Sequence, residues 1–144
     1  MEKSDVLIIG GSAAGLTAAL SARRQYPEAK ITLVRKEQKV LVPCGIPYIF
    51  GTLGSPDKNL IPDAVLANNQ VELLIDEVTS VDPTAHTVST AGGKNLEYQK
   101  LILATGSMPV VPPLPGCDLK NVFAIKKDVD YLQSLLDALD PVSY

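Results

Sequence analysis

Apolar and polar positions in the first forty residues follow two different patterns, a continuous apolar run and a helical periodicity. Residues 6–9 form a continuous apolar run that ends at a glycine pair, which is typical of a buried parallel strand. Residues 12–25 are small or helix-forming with one apolar face, and Pro27 ends the helix that they predict. Residues 30–34 predict a second strand. We therefore expect this segment to fold as a strand–helix–strand unit.

The rest of the chain predicts shorter elements. Short helices are expected after Pro43 or Pro47 and over residues 60–69, and a strand over residues 71–75. Turn residues separate the next three strands, which predicts a small antiparallel meander with strands at 78–81, 86–90 and 95–99. The last elements are a buried strand at 101–104, a short strand at 122–124, and a helix over 128–139 with Asp128 as its N-cap. The pattern as a whole predicts an α/β fold with a parallel sheet and an antiparallel meander.

Composition narrows the classes of function. The chain has 144 residues, the size of one domain, and its net charge of −3 at pH 7 includes no basic block, so nucleic acid is not an expected partner. No apolar run reaches the roughly 18 residues of a membrane helix, and no signal peptide is recognisable, so we expect a cytoplasmic protein without a membrane partner. Cys44, Cys117 and His86 do not make a metal site. Cofactor-borne catalysis, a lone reactive thiol and simple binding remain.

A glycine-rich turn joins the first strand to the first helix. Its pattern is Gly-x-Ser-x-x-Gly, and its residues are Gly10, Gly11, Ser12, Ala13, Ala14 and Gly15. Gly10 permits a tight turn, Ser12 is small enough for the backbone to approach a pyrophosphate, and Gly15 permits close packing of helix on strand. Free N–H groups at the helix N-terminus then bind the phosphates. The turn predicts a dinucleotide-binding site.

The end of the second strand carries an unusual set of charges. A ribose-binding carboxylate is expected about 20 residues after the last glycine of the turn, at the position of Arg35. Glu37 lies two positions later. Either Glu37 reaches back to the ribose, or Arg35 and Lys36 contact the adenosine in another way. A solvated strand end explains these charges about as well.

A second glycine-containing motif occurs later in the chain, at the end of the strand predicted over residues 101–104. The apolar run ending in Ala104, Thr105 and Gly106 resembles the second FAD fingerprint of the two-dinucleotide-domain flavoprotein reductases. The resemblance implies that these small residues let the strand end pass close to the flavin nucleotide, and that the backbone of Val78 meets the adenine. Because plain nicotinamide dehydrogenases lack this pair of motifs, FAD is favoured over NAD.

The segment from Val42 to Tyr48 reads Val-Pro-Cys-Gly-Ile-Pro-Tyr. It resembles the single-cysteine redox centre of the pyridine nucleotide–disulfide oxidoreductase superfamily, in the branch of coenzyme A disulfide reductase, NADH oxidase and NADH polysulfide reductase. Members with a second cysteine five positions later use an internal disulfide, but Ile49 stands there in this chain. The resemblance implies that the thiolate of Cys44 is catalytic and exchanges with an external partner or becomes a sulfenate.

The same resemblance assigns residues to the substrate. Thr17 and Arg24 match helix positions that contact coenzyme A, and Tyr48 is expected to line the thiol site. Val40 and Pro43, by contrast, stand where polar coenzyme-binding residues are usual. Recognition of coenzyme A is therefore one of several substrate hypotheses.

The resemblance implies a Rossmann-like FAD/NAD(P)-binding fold and an NAD(P)H-dependent flavoprotein that reduces a disulfide, coenzyme A disulfide or polysulfide. Ala13 replaces a histidine that is usual in the oxidases and peroxidases, which argues against a dedicated peroxidase. An NADH oxidase and a nucleotide-binding module without redox activity are the alternatives. We expect residues 1–144 to be part of one FAD-binding domain that lacks the nicotinamide and C-terminal interface domains, with a natural small subunit as the alternative. Such a part is expected to be inactive alone, and the full-length enzyme to be a homodimer.

Overall fold

The structure is a computed structural model that describes residues 2–139, so the domain expected over residues 1–144 extends beyond the described part at both ends. Its strands are β1 (Glu2–Ile9), β2 (Ile31–Arg35), β3 (Glu72–Ile75), β4 (Val78–Asp82), β5 (Thr87–Thr90) and β6 (Asn95–Leu103). Its α-helices are α1 (Ala13–Gln25), α2 (Ile46–Tyr48), α3 (Ala64–Asn68) and α4 (Val129–Leu139). There are also 3₁₀ turns at Pro43–Gly45 and Pro56–Asn59 and a π-helical turn at Ile49–Leu53.

The described strands form one six-stranded sheet in the order β3-β2-β1-β6-β5-β4. β1 runs parallel to both β2 and β6, and β2 runs parallel to β3. β4, β5 and β6 form the antiparallel meander. The predicted α/β Rossmann-like fold is confirmed. The carboxyl ends of β1, β2, β3 and β6 therefore meet at one edge of the sheet, where ligands of such folds bind.

The core forms on both faces of β1. Leu7 and Ile8 are completely buried, on opposite faces because side chains alternate along a strand. Ile8 packs in a cluster with Ala19 and Ala22 of α1, whereas Leu7 packs in a cluster with β5 and β6. Burying a side chain of this size contributes roughly 1.5–3 kcal/mol, so the two clusters hold β1 at the centre of the sheet.

Contacts divide the chain into two compact units. The first unit comprises Met1–Val40 and Ile61–Gly106 and contains the sheet. The second comprises Leu41–Leu60 and Ser107–Tyr144. The described part of the second unit has its own apolar cluster, in which Ile49 and Leu132 are completely buried.

The helix predicted over 128–139 is confirmed as α4. Tyr131 N donates to the Asp128 carboxylate over 2.7 Å, which is an N-cap hydrogen bond. The helical start predicted after Pro43 or Pro47 is also confirmed, since a 3₁₀ turn begins at Pro43. The strand predicted at 122–124 is wrong, because these residues form neither helix nor strand and pair with no neighbouring strand.

Other predicted boundaries were wrong because long-range pairing sets them. β1 begins at Glu2, four residues early, since Glu2 pairs with Leu96 of β6. The strands predicted at 95–99 and 101–104 are the single strand β6, which pairs with both β1 and β5. The helix predicted over 60–69 is confined to α3. His86 belongs to the turn before β5, has a φ of 55°, and stacks on the ring of Tyr98.

Candidate functional site

The glycine-rich turn lies at the carboxyl end of β1, where α1 begins. Gly10 has a φ of 110°, a left-handed conformation that favours glycine, and its N–H donates to the oxygen of Val34 over 2.8 Å. Ser12 precedes α1 in an extended conformation, and its hydroxyl makes no capping hydrogen bond. Ala13 and Ala14 follow with exposed side chains. Because the first N–H groups of a helix lack intrahelical acceptors, this turn can bind an anion.

The turn packs directly against the strand end that contains Ala104 and Thr105. A Cβ atom at Gly10 would collide with the carbonyl oxygen of Ala104 and lie 3.2 Å from the nitrogen of Thr105. A Cβ atom at Gly15 would collide with the carbonyl oxygen of Gly10 and lie 3.5 Å from the Cβ atom of Ala104. Most of these neighbours are backbone atoms, so a rotamer change cannot make room. The fold thus brings the two motifs of the sequence together.

An open cleft of about 190 Å³ lies at the carboxyl edge of the sheet. Its walls are the ends of β1 and β2 and the segments that follow β2, β3 and β6. Its residues are Ile9, Gly10, Val34, Arg35, Lys36, Glu37, Asp76, Glu77, Val78 and Thr105. Gly106 comes next along the chain and has a φ of 73°. The charged residues predicted at the end of β2 therefore lie in one cleft with Gly10, Val78 and Thr105.

Arg35 is buried, with 3% of its surface exposed. Its Nη1 and Nη2 atoms lie 2.8 and 2.9 Å from the two carboxylate oxygens of Asp63. Its Nε donates to the carbonyl oxygen of Glu37 over 2.8 Å, and Nη2 donates to that of Gln38 over 3.1 Å. Gly11 makes room for this side chain, because a Cβ atom there would lie 2.5 Å from the Cδ atom of Arg35. The guanidinium is thus bound by oxygen atoms of the protein.

Two acidic residues that follow β3 already have partners. Asp76 accepts hydrogen bonds from the backbone N–H groups of Glu77 and Gly92, over 2.8 and 3.0 Å. A side-chain hydrogen bond from Thr90, together with these N–H groups, lowers the pKa of Asp76 against the opposing effect of desolvation. Glu77 pairs with Lys36 over 3.6 Å, and both side chains are more than half exposed. Asp76 therefore holds the turn at Gly92, and Glu77 is paired with an exposed cation.

The residues predicted to contact coenzyme A lie on the helix surface. Thr17 and Arg24 are both exposed. They are seven positions apart on α1, which places them on the same face two turns from one another. Neither residue lines the cleft. Their assignment to substrate stays a prediction.

Cys44 lies in the second unit, in the 3₁₀ turn Pro43–Gly45, and its side chain is exposed. Buried Asn59 holds this turn from both sides: Val42 N donates to the Asn59 carbonyl oxygen over 2.9 Å, and Asn59 Nδ2 donates to the Val42 oxygen over 3.0 Å. Tyr48 follows at the end of α2 with 61% of its surface exposed. An accessible thiol on an ordered turn can exchange with an external disulfide.

Sequence reasoning missed three of these residues. Asp63 and Asn59 carry no local signal, because their partners lie far from them in sequence. Asp76 had a usable signal, since it directly follows a predicted parallel strand and such strand ends face the ligand. Among residues 2–139 no group of three metal-binding side chains is present, and no helix is long and apolar enough to cross a membrane.

The sequence pattern of the family described as pyridine nucleotide-disulphide oxidoreductase matches residues 4–143. The chain therefore belongs to this family. Members of the family are enzymes that use FAD and NAD(P)H.

Three relatives show how the chain compares with known proteins. It is 36% identical over 135 residues to the NAD(P)H coenzyme A polysulfide/persulfide reductase of Pyrococcus horikoshii, an alignment of 90% of this chain and 30% of the relative. It is 32% identical over 129 residues to the NADH oxidase of Methanocaldococcus jannaschii, covering 83% of this chain and 29% of the relative. The structure of an NAD-dependent persulfide reductase from A. fulgidus superposes with a TM-score of 0.80 and 29% identity, over 94% of this chain and 27% of the other. The chain thus spans about 30% of its curated relatives.

Proposed function

We propose that this chain is the FAD-binding portion of an NAD(P)H-dependent oxidoreductase that reduces a disulfide, coenzyme A disulfide or polysulfide through Cys44. The observation that carries the proposal is the packing of Gly10 and Gly15 on the strand end at Ala104. Within the turn itself, residues 10–15 carry no side chain larger than that of serine. A pyrophosphate can then approach the helix N–H groups closely.

The residues of the cleft fit a dinucleotide. Gly10, Ser12, Ala13, Ala14 and Gly15 form the phosphate-binding turn, and the small residues Ala104, Thr105 and Gly106 border it. The cleft at the end of β2 combines apolar lining residues, such as Ile9, Val34 and Val78, with charged residues that follow β2 and β3, a mixture that suits the adenosine half of a dinucleotide. When bound, FAD accepts a hydride from NAD(P)H and supplies two electrons for disulfide reduction.

The role proposed for Cys44 is nucleophilic. Its thiolate attacks one sulfur of the substrate disulfide, so that a new S–S bond forms to Cys44 and the other sulfur leaves as a thiolate. The exposed position of Cys44 supports access by a substrate from solution. Thr17 and Arg24 on the outer face of α1 and Tyr48 after the cysteine turn are the candidate contacts for that substrate. The P. horikoshii and A. fulgidus relatives, named for polysulfide and persulfide reduction, support this substrate class.

Flavin content tests the cofactor. Protein produced from its full reading frame is expected to be yellow after purification, and denaturation is expected to release FAD. The variant Gly15→Ala is expected to lose most of the flavin, because its Cβ atom would collide with the backbone of Gly10. Gly51→Ala is the matched control, since no atom lies within 4 Å of a Cβ there. A protein that stays colourless after addition of FAD would contradict the proposal.

Oxygen reduction is the second candidate function. It is favoured by the likeness to the NADH oxidase of M. jannaschii, and a single cysteine that forms a sulfenate would suit it. The two candidates separate in one assay: NADH consumption is measured with coenzyme A disulfide under anaerobic conditions and with oxygen alone. We expect faster turnover with the disulfide. Faster turnover with oxygen would assign the oxidase function.

A further inference from the structure

We propose that Asn59 is a positioning residue for Cys44, and that its side-chain amide fixes the turn that presents the thiol to a substrate disulfide. This inference rests on the proposed function, because it concerns how the thiolate of Cys44 reaches the sulfur that it attacks. Asn59 lies fifteen positions after Cys44, at the end of the 3₁₀ turn Pro56–Asn59. It is buried, with 6% of its surface exposed, whereas Cys44 is exposed.

The side-chain amide of Asn59 contacts both ends of the cysteine turn. Its Nδ2 donates to the carbonyl oxygen of Val42 over 3.0 Å. The same carbonyl oxygen accepts from the N–H group of Gly45 over 2.9 Å, and this hydrogen bond closes the turn around Cys44. The Oδ1 atom of Asn59 lies so close to Gly45 that a Cβ atom there would collide with it. One side chain therefore holds the residue two positions before the cysteine and the residue directly after it.

Asn59 is itself fixed by its backbone and by the turn that carries it. Val42 N donates to its carbonyl oxygen over 2.9 Å, and the next residue, Leu60, forms an antiparallel bridge with Leu41. Pro56, which begins the same 3₁₀ turn, is fully buried. The amide is thus a fixed support for the cysteine turn, because little freedom is left to the backbone that carries it.

Attack on a disulfide depends on the direction of the thiolate as well as on its exposure. The thiolate of Cys44 approaches in line with the S–S bond that breaks, a new S–S bond forms to one sulfur, and the other sulfur leaves as a thiolate. Misplacing a reacting group by about 1 Å can cost on the order of 10²-fold in rate. Alkylation by a small reagent such as iodoacetamide requires only an accessible thiolate. The two reactions therefore distinguish the positioning of a thiol from access to it.

The test uses protein from the full reading frame, reduced with dithiothreitol and freed of the reductant, with modification of Cys44 followed by peptide mass spectrometry. In Asn59→Ala, formation of the mixed disulfide with coenzyme A disulfide is expected to slow about tenfold. Alkylation of Cys44 by iodoacetamide is expected to change by less than about twofold, because the thiol stays exposed. In steady-state reduction of coenzyme A disulfide, we expect kcat to fall and KM to change by less than about twofold, since Asn59 is not a proposed substrate contact.

Two controls separate positioning from the loss of any hydrogen bond and from a general loss of stability. Asn69→Ala is the matched control, because Asn69 likewise donates from Nδ2 to a backbone oxygen, that of Val65, over 2.8 Å, but at the end of α3. Asp128→Ala removes a helix cap in the unit that contains Cys44, and the lost hydrogen bond lies outside the cysteine turn. Both control variants are expected to keep the parental rates of mixed-disulfide formation and of alkylation.

If Asn59→Ala fails to fold, Asn59→Asp takes its place, because it keeps the volume of the side chain but its carboxylate cannot donate to Val42. Parental rates of both reactions in the Asn59 variant, or parallel changes in both, would overturn the inference, because the amide would then have no effect on direction. A parent protein in which Cys44 forms no mixed disulfide would instead overturn the role proposed for the cysteine.

Discussion

The side-chain oxygen of Asn59 occupies the space that a Cβ atom of residue 45 would need, so Gly45 and Asn59 fit only as a pair. Asn59 is 6% exposed and holds Val42 by two hydrogen bonds. Gly45 has a φ of −85° and a ψ of −11°, which any residue adopts. The requirement for glycine after Cys44 is therefore steric, and its cause is a residue fourteen positions later in sequence.

Gly45→Ala is expected to destabilise the protein by roughly 1–3 kcal/mol, the usual cost of overpacking a filled site. Asn59 cannot move aside without losing its hydrogen bond to Val42. Thermal or urea unfolding measures the effect. Gly51→Ala, where a Cβ atom meets nothing within 4 Å, is the control and is expected to be neutral or stabilising.

A double-mutant cycle tests whether Asn59 causes the loss of stability in Gly45→Ala. In the Asn59→Ala background, Gly45→Ala is expected to cost much less, because the colliding side chain is gone. Equal costs in the two backgrounds would show that Asn59 is not the source of the steric requirement.

Cys44→Ser is expected to abolish reduction of coenzyme A disulfide or polysulfide in the protein made from its full reading frame. The hydroxyl cannot form the mixed disulfide, whereas the glycine-rich turn is unchanged, so flavin content is expected to stay at the parental level. Cys117→Ser is the matched control and is expected to retain activity. Undiminished turnover by Cys44→Ser would exclude the proposed role.

Asp76 is expected to make stability depend on pH. Hydrogen bonds from Thr90 and from backbone N–H groups lower its pKa in the folded protein. A lowered folded pKa stabilises the protein above the unfolded value of about 3.9, and this contribution is lost as pH falls through the folded pKa. Asp76→Asn is therefore expected to be less stable near neutral pH and to approach the parent protein in acid. Unfolding midpoints measured from neutral pH to below the folded pKa check the prediction. Thr90→Val is also expected to be less stable than the parent protein near neutral pH, by a smaller amount, and to approach the parent protein in acid.

Asp128 caps α4 through its hydrogen bond to the N–H group of Tyr131. Asp128→Ala is expected to cost roughly 0.5–2 kcal/mol, as is usual when an N-cap is removed. Asp130→Ala removes a carboxylate two residues later without removing the cap, so it serves as the control. Equal unfolding free energies for the two variants would contradict the capping role.

The sequence by itself determined the elements with local causes. The apolar run before Gly10 and the turn up to Gly15 specify the strand–turn–helix unit, because strand period, helix period and the need for glycine act over neighbouring residues. Asp128 could be identified as a cap for the same reason. The family resemblance around Cys44 also depends on a contiguous segment.

Only the tertiary structure decided the features with distant causes. The start of β1 at Glu2 depends on β6, about ninety residues later, and the fixed backbone at Glu37 depends on Asp63 through Arg35. No local pattern records these partners, because hydrogen bonds and ion pairs between distant residues form only when the sheet brings the segments together. The sequence therefore predicted the dinucleotide turn, while the fold decided how the charges beside it are paired: Arg35 with Asp63, and Lys36 with Glu77.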